Sequence, residues 1–241
     1  MKDNVAEIPV LKVTSDGERI RTTKNIIREH LIEVCAEGRI LRTIVCTDTD
    51  IKELVYGFLF SEDYIESASD VTEFYMSDKR DRARVAIKDD KTAASGRRCE
   101  GPVHFTAEQI FKLTAYFKDN KGLHSKTDGT HVCMLMHKDE IVFITEDISR
   151  HNMLDKAIGY ALLNDIPMRE CLLFTSGRVP KDVADKMTKA GLGVLVSKAV
   201  PTDASVKAAK EAGLKLVCWA WPDSFIVING EDDAGQIRTG D

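Results

Sequence analysis

The sequence predicts an α/β protein in two parts, a small α+β unit followed by a larger layer of alternating helices and strands. Three observations carry this. Beyond residue 103, short Val/Ile/Leu runs alternate with amphipathic stretches, the pattern of a mixed, mostly parallel sheet covered on both faces. Ahead of it, two strand-like runs flank Glu37-Gly38 and precede a helical stretch. Between the two parts, residues 89–102 have almost no apolar content and read as a linker.

Residues 1–24 are polar and patternless, a flexible leader. Residues 30–36 and 40–46 then read as a hairpin. Thr47-Asp48-Thr49-Asp50 supplies cap residues for a helix over 51–62. Strands are expected at 71–76 and 84–88, so the N-terminal α+β subdomain spans 25–102 and ends in a loop carrying Cys99. Residues 103–230 form the second domain. Its order is helix 106–117, strands 131–136 and 140–145, helix 147–163, strand 171–175, helix 180–190, strand 192–196, helix 203–212, and strands 214–219 and 225–228. Residues 231–241 are polar and Gly-rich, a disordered tail.

The totals exclude several classes. A formal charge of −5 argues against generic nucleic-acid binding, which needs a basic surface. No apolar run approaches membrane-spanning length, and Met1-Lys2-Asp3-Asn4 lacks the apolar core of a signal peptide. The cysteines at 35, 46, 99, 133, 171 and 218 are scattered with no CxxC spacing, so a zinc site of that kind is not expected. The reading is a reduced, cytoplasmic protein without a membrane or nucleic-acid partner.

The densest stretch runs from Thr145 to Gly159. It places Glu146, Asp147, Arg150, His151, Asn152, Asp155 and Lys156 directly after an apolar run. At 100° per residue, Met153, Leu154, Ala157, Ile158, Ala161 and Leu162 share one helical face, while Asn152, Asp155 and Lys156 take the other. Arg, His and Asn at a helix start, where backbone N–H groups are unpaired, suit an anion. Two later junctions repeat the logic: Thr175-Ser176-Gly177-Arg178 before Pro180, and Ser197-Lys198 through Pro201-Thr202-Asp203. Each junction alone is explained by plain helix capping. Three cationic junctions at strand ends of one sheet point to a shared anionic ligand, although none is a Walker loop or a GxGxxG turn.

Other candidates have ordinary alternatives. Thr130 and His131 could bond a ligand from the sheet edge, or belong to a turn with Gly129 at positive φ. Cys99 follows Arg97 and Arg98, whose charge favours the reactive thiolate; it also fits an incidental surface cysteine. Trp219-Ala220-Trp221-Pro222-Asp223-Ser224 could stack on a purine or pterin, or serve as core or interface. The helix–strand order suits the zinc deaminases, but His131-Val132-Cys133 lacks the glutamate of H-x-E and no P-C-x-x-C follows, which excludes that activity.

Four stretches together resemble the formate dehydrogenase accessory sulfurtransferases of the FdhD/NarQ type. Glu53-Leu54-Val55-Tyr56-Gly57-Phe58-Leu59-Phe60-Ser61-Glu62 is similar to that family's E-L-x-x-G-F-L-x-x-E. Thr127-Asp128-Gly129-Thr130-His131 is similar to T-G-G-x-H, with Asp128 for the first glycine. Residues 146–156 resemble E-D-x-G-R-H-N-x-x-D-K, with Ser149 for its glycine. Ser176-Gly177-Arg178 and Pro201-Thr202 match S-G-R and A-P-T.

The resemblance implies a cytidine-deaminase-like three-layer core with a mixed sheet and no zinc, plus the smaller N-terminal α+β subdomain, in a cytoplasmic homodimer. It further implies that sulfur is taken as a persulfide from a cysteine desulfurase. That sulfur is delivered to the bis-molybdopterin guanine dinucleotide cofactor, with molybdenum or tungsten, for formate dehydrogenase. Cys99 aligns with the family's C-G-x-C-G loop, where it is the sole cysteine retained, and would carry the sulfur. Thr130, His131, Arg150, His151, Asp155, Lys156, Ser176, Arg178, Lys198, Thr202 and the segment Trp219, Ala220, Trp221, Pro222, Asp223 and Ser224 would hold the cofactor. The family's G-F-x-R falls on Cys218-Trp219-Ala220-Trp221, so Trp221 replaces its arginine. A cofactor-binding chaperone, or an interaction paralogue without sulfur transfer, is the alternative.

Overall fold

The computed structural model describes residues 4–88, 103–120 and 122–229. The loop bearing Cys99 and the tail from residue 231 lie outside these residues.

The chain opens with β1 (Val5–Val13) and β2 (Arg19–Ile27), an antiparallel hairpin turned at Gly17, φ 87°. A patternless leader is therefore corrected to a regular two-stranded ladder. Its period-2 pattern is muted because neither face packs on the main core, so polar residues such as Thr22, Thr23 and Lys24 occupy β2 without penalty.

Next come β3 (His30–Ala36) and β4 (Arg39–Cys46), joined through Glu37 and Gly38. Both turn residues have positive φ (50° and 74°), the conformation that matches a tight turn to strand twist. The following helix is α1 (Ile51–Ser61). Its expected cap is corrected: Asp50 is left-handed at φ 50° and makes no side-chain cap, its carboxylate instead accepting a 2.6 Å bond from Thr145 Oγ1. With β5 (Val71–Met76) and β6 (Arg82–Ile87), the first sheet has the order β4-β3-β6-β5.

After the linker come α2 (Ala107–Asp119), opened by a Thr106–Gln109 capping box, and a short α3 (Leu123–Thr127) that the sequence pattern does not reveal. Then follow β7 (His131–His137), β8 (Glu140–Asp147), α4 (Arg150–Leu163), β9 (Cys171–Thr175), α5 (Lys181–Lys189), β10 (Val194–Ser197), α6 (Asp203–Ala212), β11 (Lys215–Trp221) and β12 (Ser224–Val227). The expected helix at 147–163 begins later because Asp147 closes β8 and Ser149 caps α4. The second sheet has the order β12-β11-β10-β9-β7-β8. It is mixed: β9, β10 and β11 are parallel neighbours, while β7 and β12 run against theirs.

Successive strand residues point to opposite faces. Val132, Met134, Met136, Leu172, Phe174, Val194 and Val196 pack with Ile110 and Leu113 of α2. Cys133, Leu135, Leu173, Leu195, Leu216 and Cys218 face the other way, into a core shared with α4, α5 and α6. That core continues through α1 to Ile32, Val34, Ala83 and Val85 of the first sheet, so the two parts are fused by one apolar cluster.

The join is a close crossing of α1 and α4. A Cβ on Gly57 would lie 1.8 Å from the Asp155 carbonyl oxygen, and one on Gly159 would lie 1.8 Å from that of Glu53. Only glycine at both positions lets the two backbones touch.

Candidate functional site

The carboxyl ends of β8, β9, β10 and β11 and the amino ends of β7 and β12 share one edge of the second sheet. Thr130, His131, Arg150, His151, Ser176, Arg178, Lys198 and the 219–224 segment are therefore brought to one side of the molecule. The strand-end expectation holds for these residues, but they divide into three environments.

The first is a cavity of about 530 Å3. It is lined by Thr114, Phe117 and Lys118 of α2, by Asn120, and by His124 and Ser125 of α3. Lys198, Ala220, Trp221, Pro222 and Asp223 close its other side. Lys198 Nζ lies 4.9 Å from the ring centroids of both Phe117 and Trp221, a cation held between two aromatic rings. Phe117 is braced by Phe174 at 5.2 Å between centroids and by His124 at 5.8 Å. His124 Nδ1 meets the Thr130 carbonyl, which can only accept, so that nitrogen carries the proton.

A bulge sets the geometry of the last strand. Trp219 is left-handed at φ 48°, rare for a bulky residue, and its N–H reaches the Ala199 carbonyl at 3.0 Å. The extra residue lets Ala220 join the α2 face, as Val217 does, although three positions separate them. Trp221 thus reaches the cavity while Trp219 does not line it.

The second environment lies at the starts of α4 and α5. Asp182 Oδ2 stands 3.2 Å from His151 Nε2 and 3.6 Å from Arg150 Nη2. Burial lowers the pKa of His151, with Lys186 adding to the effect and Asp182 opposing it. Burial likewise lowers that of His131, helped by Arg150 and His124. Both imidazoles are biased towards the neutral form. Arg178 is exposed nearby, and Ser176 Oγ accepts a 2.9 Å bond from Val132 N–H.

The third environment is interior, and it corrects the helical-wheel expectation for Asn152, Asp155 and Lys156. These residues do not form a solvated face; all three are buried against the first part of the chain. Lys156 Nζ donates to Asp147 Oδ2 at 2.7 Å and to Thr47 Oγ1 at 2.8 Å. Asn152 Nδ2 donates to Asp147 Oδ1 at 2.9 Å and to the Val45 carbonyl at 2.7 Å. Asp155 Oδ1 accepts from Ser61 Oγ and Lys186 Nζ, both at 2.6 Å; burial raises its pKa and Lys186 partly offsets that. Asp155 and Lys156 therefore lock α4 to its neighbours and do not line the cavity.

Several other motif residues also fasten the fold. Glu146 accepts from Thr130 Oγ1 at 2.8 Å and from the His124 backbone N–H, anchoring α3 under the cavity. Thr202 caps α6 through Ser205 N–H. Ser149 caps α4 through the His151 N–H at 3.3 Å. In the 127–131 turn the left-handed residue is Asp128, φ 53°, rather than Gly129, which explains why the related motif carries glycine there.

The cavity residues Phe117, Lys118, Asn120, His124 and Ser125 have no sequence motif. They converge only because α2 and α3 cover the same sheet edge that β10 and β11 end upon.

Among the described cysteines, burial pushes the thiols of Cys46, Cys171 and Cys218 up to about 12, and that of Cys133 also upward. Cys35 is half-buried in β3, opposite Ile40. Among the described residues no group of three or more His, Cys, Asp or Glu is placed to hold a metal ion. No described helix is long and apolar enough to cross a membrane.

Comparison with known proteins bears on the family and the fold. The sulfur carrier protein FdhD of Bacillus licheniformis is 28% identical over 238 residues, spanning 88% of this chain and 90% of that protein. The Bacillus subtilis protein of the same name is 28% identical over 253 residues, spanning 94% and 97%. A crystal structure assigned as a formate dehydrogenase accessory protein from Desulfotalea psychrophila superposes with a TM-score of 0.83 at 21% identity, covering 95% of this chain and 99% of that one, and so shares the fold. The family profile for FdhD/NarQ matches residues 27–101 and 95–234, which takes in the chain after the opening hairpin, and this protein accordingly belongs to the FdhD/NarQ family.

Proposed function

We propose that this protein is a sulfur carrier in formate dehydrogenase maturation. It accepts sulfur from a cysteine desulfurase on Cys99 and delivers it to bis-molybdopterin guanine dinucleotide. The observation that carries the reading is the cavity of Phe117, Lys198, Trp221 and Asp223. Its volume falls within the roughly 300–1,000 Å3 of small-molecule sites, enough for one nucleotide end of a larger cofactor.

The donor set suits guanine. A base can stack on the Trp221 ring once the Lys198 ammonium moves from over that ring to the edge of the base. The Lys198 ammonium can donate to the guanine O6 and N7 acceptors, and the Asp223 carboxylate can accept from N1–H and N2–H. Adenine presents the opposite pattern along that edge, a donor to the lysine and an acceptor to the carboxylate. Lys118 adds positive charge for phosphate.

Sulfur transfer is supported by the thiol chemistry. Four of the described cysteines are buried with raised pKa, which disfavours the attacking thiolate. Cys99 follows two arginines in sequence, which favours it. The Cys99 thiolate attacks the outer sulfur of the desulfurase persulfide. A new S–S bond forms at Cys99, the donor's S–S bond breaks, and the donor cysteine leaves as thiolate, with no net oxidation.

Incubation with a desulfurase and cysteine should add one sulfur atom to the protein by intact mass, and Cys99→Ala should abolish the adduct while Cys35→Ala keeps it. Guanine-nucleotide binding without any adduct would favour a cofactor-holding chaperone. Absence of both would leave an interaction protein of the same fold.

A further inference from the structure

His124 is a cavity residue that the base-reading scheme does not use. It stands half-buried in α3, and it lines the same space as Lys198 and Trp221. Hydrogen bonds hold it there. Its backbone N–H donates to Glu146 Oε2, its Nδ1–H donates to the Thr130 carbonyl, and the Thr130 hydroxyl donates to Glu146 Oε2 at 2.8 Å. Glu146 comes this close because residue 122 is glycine: a Cβ there would lie 1.7 Å from Glu146 Oε1. The ring also packs on Phe117, with 5.8 Å between centroids. The imidazole is therefore fixed before any ligand arrives, and binding pays little further side-chain entropy to use it.

Fixing one nitrogen decides what the other can do. A neutral imidazole with its proton on Nδ1 carries a bare lone pair at Nε2, so that atom accepts and does not donate. Among the described residues Nε2 has no hydrogen-bond partner, and it is not sealed from solvent. It is the acceptor that the ring leaves for a ligand in the cavity.

A guanine nucleotide offers few donors to such an atom. The phosphate oxygens, O6 and N7 are acceptors and would set lone pair against lone pair. N1–H and N2–H lie on the base edge that Asp223 reads. The ribose hydroxyls at 2′ and 3′ are the donors that remain. The placement agrees: Phe117 stands 4.9 Å from Lys198 Nζ on one side and packs on His124 on the other, so the imidazole lies one ring beyond the ammonium that takes the edge of the base. The cavity lysines do not compete for Nε2, since Lys198 is drawn to O6 and N7 and Lys118 to phosphate.

We propose that His124 selects ribonucleotides over deoxyribonucleotides, its Nε2 accepting a hydrogen bond from a ribose hydroxyl of the bound guanine nucleotide. This rests on the guanine reading of the cavity and adds the sugar to it.

Calorimetric titration at pH 8 with guanosine diphosphate, its 2′-deoxy form and its 2′,3′-dideoxy form tests the contact. The parent protein should bind the dideoxy form about three- to tenfold more weakly than the ribonucleotide, the loss of one neutral hydrogen bond. A loss already complete in the 2′-deoxy form assigns the bond to the 2′ hydroxyl, and a loss confined to the dideoxy form assigns it to the 3′ hydroxyl. His124→Phe keeps a ring against Phe117 but has no acceptor, and should bind all three alike. If His124→Phe fails to fold, nitrogen NMR of the parent decides: the Nε2 resonance should shift with guanosine diphosphate and not with the dideoxy form, and the same response to both overturns the proposal. Equal affinity of the parent for all three, or a preference that His124→Phe retains, overturns the sugar contact while leaving the guanine reading in place. Failure of the parent to bind guanosine diphosphate at all overturns both.

Discussion

Lys156 Nζ lies 2.7 Å from Asp147 Oδ2, and neither side chain has solvent-accessible surface. The pair stands at the seam between the two parts of the chain, with Thr47 and Asn152 completing its bonds. Lys156→Met leaves the Asp147 carboxylate buried without its cation. The expected cost is about 3–5 kcal/mol of folding stability, read as a fall in the urea midpoint. A surface control such as Lys207→Met should change it by less than about 0.5 kcal/mol.

The α1–α4 crossing gives a second expectation. Gly57→Ala and Gly159→Ala each drive a methyl group into a carbonyl oxygen of the facing helix. Each should lower stability by about 1–3 kcal/mol or more through overpacking. Thermal unfolding should show both lowering the transition, whereas Gly191→Ala, in open space but at φ 73°, should fail only through backbone strain and by less.

Stability should depend on pH near neutrality. His131 and His151 have folded pKa values below the ordinary 6.5, mainly through burial. Below 6.5 the unfolded chain therefore binds more protons than the native one, and stability falls as pH falls towards the folded values. Above 6.5 this contribution is fully present. Chemical denaturation from pH 5 to 8 should show the midpoint rising and then levelling, and His131→Gln with His151→Gln should flatten the rise.

Ligand recognition should separate by residue. Trp221→Ala should weaken guanosine diphosphate binding by about 1–3 kcal/mol through lost stacking. Lys198→Ala should weaken it comparably, by removing the donor to O6 and N7. Asp223→Asn should instead erode the preference for guanosine over adenosine diphosphate, since an amide can donate as well as accept. Calorimetric titration of the two nucleotides measures all three; equal affinities of the parent protein for both would refute the base-reading scheme.

Much of this was legible in the chain. The alternation of apolar runs with helices located nearly every element of the second sheet, because its central strands β7, β9 and β10 are buried on both faces and tolerate little else. The motif at 146–156 located the seam of the molecule, but its polarity misled. Lys156 and Asp155 look like ligands in a one-dimensional reading because nothing local shows that Thr47, Ser61 and Asp147 will enclose them. The cavity was half visible. Lys198 and Trp221 stand at strand ends where a crevice is expected, whereas Phe117 and His124 reach it through the packing of α2 and α3, which no spacing encodes. The opening hairpin escaped because its ladder is held by backbone bonds and not by a buried face.

The apolar cluster that runs from Val34 through Leu54 and Leu154 to Leu173 makes the halves mutually dependent for folding. Severing the polypeptide between residues 88 and 103 should consequently yield two pieces that are each unstable when made separately. Mixed together, they should reassemble without a covalent connection, since the meeting backbones of α1 and α4 would still find one another.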